Sequence, residues 1–144
     1  MKQPDKISEL IKTKARSLGF SECAIIPSGF LEEEKCHLLH WLEEGMNGQM
    51  HYMIKNTDMR LDPSLLFKNA KSLIIVIQNY FTTKVQRDDN APVISKYAYG
   101  IDYHILIKKK LQELLKYIQK DISPCKGRPF TDSAPILERA WAKK

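Results

Sequence analysis

The sequence predicts a mixed α/β fold in one domain spanning residues 1–144, and three observations carry that expectation. The stretch "SLIIVIQNY" is a continuous β-branched apolar run, which suits a strand buried on both faces at the centre of a sheet. Tyr103, Leu106, Ile107, Leu111, Leu114, Leu115, Ile118 and Ile122 keep to one face of a long helix. A length of 144 residues with 43% apolar content matches one ordinary domain around a single core.

The elements follow in order. Ile7, Leu10, Ile11, Ala15 and Leu18 define a first helix, capped by Asp5 and stopped by Gly19. "ECAIIP" reads as a short strand. "FLEEEKCHLLHWLEEG" places Leu31, Leu38, Leu39 and Leu42 at near-helical spacing, with glutamates in the first turn and Gly45 as a stop. The stretch from Met46 to Ala70 lacks a clean period, apart from the Asp62-Pro63 turn and a short helix after it, and is an ordered connection. Thr82 to Ser95, containing "QRDDNAP", is polar and patternless and reads as a mobile loop. Asp102 caps the long helix. "SPCKGRP" then turns the chain into a final helix starting near Pro135, with Ile136, Leu137, Ala140 and Trp141 on one face.

Composition excludes several classes. The longest aliphatic run, Leu73 to Ile77, is far short of the roughly 20 apolar residues that span a bilayer. "MKQPDKISELIK" lacks the apolar stretch of a secretory signal, so the expected location is cytoplasmic, with no membrane partner. Cys23, Cys36 and Cys125 are odd in number and widely spaced, as suits reduced thiols. A net charge of +6 favours an anionic partner. The sequence holds no glycine-rich phosphate loop, serine-histidine-acid set or CxxC pair. Those absences argue against nucleotide hydrolysis, serine hydrolase chemistry and iron–sulfur binding by this chain alone.

Five groups of residues invite a chemical reading. Cys36, His37 and His40 share a helical face at metal-ligand spacing, but their charged neighbours favour a solvated surface. Met46, Met50, Met53 and Met59 read as adaptable packing rather than a soft-metal site. Lys108, Lys109 and Lys110 lie on the long helix, with at least two side chains in water, and Lys12, Lys14 and Arg16 would have to lie nearby to make a phosphate contact. "KYAYGIDYH", Lys96 to His104, groups three tyrosines, an aspartate and a histidine at a helix mouth, which offers either stacking surfaces or a capped and packed turn. Asp132 is a turn or cap residue, with Ser133 as the competing cap, or else a general acid. In the acid role its pKa would have to lie above the ordinary value of about 3.9.

Taken in order, "GMNGQMHYM", "RLDPSLLFKNAKSLIIVIQNY", "KYAYGIDYH" and "DSAPILERAWA" resemble the N-terminal region of epoxyqueuosine reductases over nearly the whole chain. The resemblance implies a fold in which helices flank a small central sheet, as in nitroreductase-like and other corrinoid-processing domains. It implies cobalamin as cofactor and, as reaction, reduction of the epoxide of epoxyqueuosine in tRNA to give queuosine. The implied partner is the tRNA anticodon stem-loop, and the implied protein is a monomer. By motif position Asp132 resembles the family's catalytic aspartate, the proton donor to the departing oxygen. Tyr97, Asp102, Tyr103, His104 and Arg139 occupy motifs placed around the corrin and substrate. The family's two 4Fe-4S clusters belong to a C-terminal ferredoxin-like region, and the last helix breaks off without a stop signal, so the chain reads as the N-terminal part of a longer one that is inactive alone. Two alternatives keep the fold: an inactive tRNA-binding module and a corrinoid-dependent reductase of a small molecule.

Overall fold

The computed structural model describes residues 3–88 and 90–144. Its order is α1 (Gln3–Ser17), β1 (Glu22–Pro27), α2 (Glu32–Glu43), α3 (Thr57–Leu61), β2 (Ser72–Ile77), α4 (Tyr103–Tyr117) and α5 (Glu138–Ala142). β1 and β2 form a two-stranded sheet. The Ser21 N–H donates to the Ile77 carbonyl at 2.8 Å and the Ser28 N–H to the Lys71 carbonyl at 3.0 Å, so opposite ends meet and the pair is antiparallel. Among the described residues β2 pairs with β1; its four inner residues are half-buried, and its two ends are exposed.

Backbone contacts divide the chain into two units, residues 1–23 with 76–131 and residues 24–75 with 132–144. In the first, α1 packs on α4. Ile11, Ala15, Phe20, Cys23, Leu114 and Ile118 are its buried apolar side chains among the described residues. The Asp5 cap expected for α1 lies outside the described side chains, whereas the Gly19 stop is clear. Gly19 has φ +86°, its N–H donates to the Arg16 carbonyl, and the Phe20 N–H reaches back to the Ala15 carbonyl at 3.2 Å. This closes the helix by the paired bonds that a left-handed glycine permits, with the flanking Ala15 and Phe20 both buried. Helix α4 ends one turn before its stripe does. Ile118–Ile122 continue as a wider turn, closed by the Ser123 N–H on the Ile118 carbonyl at 2.9 Å. The segment from Thr82 to Ser95 has no regular element among its described residues, and Asp89 lies outside them.

The second unit is built on a core of Leu31, Leu38, Leu61 and Trp141. Gly45, at φ +66°, ends α2 as Gly19 ends α1, with the Met46 N–H on the Trp41 carbonyl. Leu39 is exposed, being one position off the face that buries Leu38. The Asp62-Pro63 turn forms as expected: Asp62 Oδ1 accepts from the Ser64 N–H at 2.8 Å and opens a single 3-10 turn.

The last helix departs from expectation. It starts at Glu138, not near Pro135, and neither Asp132 nor Ser133 caps it, because the cap position is Leu137. The Ile136 N–H is turned back onto the Ala134 carbonyl at 2.8 Å, a three-residue turn that no α-helix accommodates. Ala134, preceding a proline, is also biased away from helical backbone.

Among the described residues no helix is long and apolar enough to cross a membrane.

Candidate functional site

In the first unit the aromatic motif folds as one cluster. A 3-10 turn, Lys96–Ala98, leads through Gly100 to Asp102, the N-cap of α4. Asp102 Oδ1 accepts the His104 backbone N–H at 2.8 Å and lies 2.9 Å from His104 Nδ1. An ionised carboxylate has no proton to give, so Nδ1 donates, and in the neutral ring Nε2 is left as the acceptor. The backbone N–H of His104, and after it the imidazole, hold the Asp102 carboxyl below its ordinary value. Asp102 is therefore a cap that also orients a ring.

Three tyrosines extend the cluster. Tyr97 meets Tyr103 edge-on at 5.9 Å, and Tyr103 stacks on His104 at 4.1 Å. Tyr80, which the sequence did not single out, meets Tyr97 edge-on at 6.3 Å. Its only sequence signal was its place at the end of "SLIIVIQNY". Tyr80 is 66% exposed and Tyr97 53% exposed. Phe81, Ile101 and Ile105 are exposed in the same unit. Lys96 is tied down, with Nζ donating to the Thr82 carbonyl at 2.8 Å and lying 4.5 Å from the Phe81 ring centroid.

Asp132 and Arg139 belong to the second unit, and both are exposed. Asp132 sits at φ +47°, left-handed backbone that is uncommon for a residue with a Cβ. Its N–H donates to Glu138 Oε1 at 2.9 Å. Glu138 opens α5 and was visible beforehand only as half of "ER".

The other groups resolve more simply. Among the described residues no set of three or more His, Cys, Asp or Glu side chains is placed to hold a metal ion, and Cys36, His37 and His40 lie on an exposed face. Lys108 and Lys109 are exposed, while Lys110 is half-buried, donating to Gln78 Oε1 at 2.8 Å and lying 5.4 Å from the Phe20 ring centroid. Lys14 lies 5.4 Å from the ring centroid of Tyr117, so α1 does bring a cation to α4. Cys23 is buried, and burial pushes its thiol above the ordinary value, against the opposing pull of Lys12 and Arg16.

A family model described as epoxyqueuosine reductase QueG, DUF1730, matches residues 60–133. The chain is 49% identical to an epoxyqueuosine reductase of Cellulophaga algicola over 144 residues, 100% of this chain and 47% of the relative. It is 44% identical to one of Cyclobacterium marinum, over 97% of this chain and 46% of the relative. The chain thus spans about half the length of the curated relatives it matches. Among solved structures, a selenomethionine-labelled epoxyqueuosine reductase superposes with a TM-score of 0.82 at 19% identity, covering 96% of this chain and 38% of that one. An epoxyqueuosine reductase with an epoxyqueuosine-modified tRNA-Tyr stem loop superposes with a TM-score of 0.76 at 20% identity, over 96% and 37%. At such identities the superpositions establish the mixed α/β fold.

Proposed function

Because the chain belongs to the epoxyqueuosine reductase QueG, DUF1730, family, we propose that it supplies part of the active site that reduces the epoxide of epoxyqueuosine in tRNA to give queuosine. The observation that carries this reading is the 49% identity running through all 144 residues to a relative named for that activity.

In this reading Asp132 is the proton donor to the oxygen released as the epoxide opens. Its exposure gives a substrate oxygen access to the carboxyl group. The resemblance supplies cobalamin as the cofactor, and the residues present suit it: Tyr80, Tyr97, Phe81, Ile101 and Ile105 offer apolar and aromatic area to a large, flat macrocycle. Bound there, cobalamin supplies low-valent cobalt as the source of electrons. Tyr97 and Tyr103 shape the cofactor and substrate surface, and Asp102 fixes the tautomer of His104 so that Nε2 offers an acceptor. Arg139, exposed on α5, offers a cation to substrate or phosphate. The two 4Fe-4S clusters that the resemblance implies would lie outside the residues matched here and would supply electrons. The net charge of +6 suits a tRNA anticodon stem-loop as partner, and the exposed tyrosines suit an unstacked base.

Deletion of the gene in its source organism, followed by nucleoside analysis of total tRNA by mass spectrometry, tests the reading. Epoxyqueuosine accumulates and queuosine disappears, and a gene carrying Asp132→Asn fails to restore queuosine. Unchanged queuosine in the deletion strain sinks the reading, and restoration by the Asp132→Asn gene removes Asp132 from the proton-donor role.

A further inference from the structure

We propose that Glu138 is the positioning residue for Asp132: its carboxylate holds the Asp132 backbone in the left-handed conformation that sets the direction of the acid's side chain. This rests on the reading of Asp132 as the proton donor.

Two observations carry it. At φ +47° the Cβ of Asp132 crowds the backbone, a strain that an aspartate tolerates better than most residues but relieves by reverting to negative φ. Reversion would swing the Cα–Cβ bond and carry the carboxyl group elsewhere. The Asp132 N–H donates to Glu138 Oε1 at 2.9 Å, a charge-assisted bond made in the strained conformation.

What lies on either side makes Glu138 a firm post. Trp141, one turn further along α5, is 4% exposed within the core that includes Leu31 and Leu61. Ile136 and Leu137 pack against the same core. Thr131, immediately before Asp132, is 6% exposed. Asp132 is therefore an exposed residue adjoining a buried one, its amide clamped by a helix the core has already fixed.

Two variants test it. Glu138→Ala removes the acceptor, and Glu138→Gln keeps an oxygen at the same reach without the charge. Hydrogen exchange of the Asp132 amide, followed by NMR on the protein, reads the bond independently of activity. Exchange speeds up by about tenfold in Glu138→Ala and returns most of the way in Glu138→Gln. In the complete reductase, kcat on epoxyqueuosine-containing tRNA falls by about tenfold in Glu138→Ala with KM nearly unchanged, and Glu138→Gln recovers most of it. Unchanged amide exchange in Glu138→Ala overturns the proposal. So does a loss of kcat that Glu138→Gln does not repair, or one that tracks a fall in melting temperature shared by both variants. If Asp132→Asn retains full activity, the proton-donor reading fails while the exchange measurement still decides whether Glu138 holds the Asp132 backbone.

Discussion

One carboxylate oxygen, Asp102 Oδ1, serves two hydrogens of the same residue: it accepts the His104 backbone N–H at 2.8 Å and faces His104 Nδ1 at 2.9 Å. The helix N-terminus and the imidazole orientation are thereby set by a single group, and the cap that starts α4 also fixes the face that His104 presents.

That arrangement has a pH signature. Because folding lowers the Asp102 pKa, chiefly through the backbone N–H of His104, the ionised cap stabilises the fold fully above the ordinary carboxylate range. The contribution declines as pH drops through that range and is gone below the depressed value. Asp102→Asn keeps a capping oxygen but does not titrate. Urea unfolding from neutral pH down to about pH 2 should show the wild type more stable at neutral pH and the gap closing in acid. A gap of constant size would mean that the charge of Asp102 plays no part.

Trp141 anchors α5, and its removal should cost much of the second unit's stability. Trp141→Ala is expected to destabilise by about 3–5 kcal/mol, a large share of the total for a domain of this size. Trp141 Nε1 is buried without a hydrogen-bond partner among the described residues, so Trp141→Phe forfeits packing alone and should cost clearly less. Denaturant midpoints of the two variants check the order, and equal losses would count against a packing role.

The three thiols should separate by reactivity. Cys36 and Cys125 are exposed, whereas Cys23 is buried on β1 with its pKa raised, first of all by desolvation. Titration of the native protein with a thiol-specific chromogenic reagent should modify two cysteines promptly and the third only when denaturant is added. Prompt reaction of all three would show that β1 opens readily in the native state.

The features legible beforehand are those that a few neighbouring residues decide. Gly19 and Gly45 stop α1 and α2 because only a residue free to take positive φ closes those ends with both carbonyl bonds, and the signal sits at the position itself. Asp102 was readable as a cap for the same reason. The family, too, was legible, because its motifs are short blocks in a fixed order. Where contacts beyond the local stretch decided the outcome, one expectation failed and one residue was missed. Pro135 looked like a helix start, yet the turn at Ala134 to Ile136 and the clamp from Asp132 to Glu138 moved the start to Glu138. Tyr80 was passed over because its partner Tyr97 belongs to another segment.

By itself, then, the sequence determined where α1 and α2 stop, where α4 begins, which face of α4 is apolar and which family the chain resembles, because these depend on residues within about one or two helical turns of each other. Only the tertiary structure decided that Tyr80 joins Tyr97, that the two strands run antiparallel, and that Asp132 stands in left-handed backbone held by Glu138. Those relationships bring together groups from different stretches of chain, and they are selected by the packing that first fixes the elements carrying them.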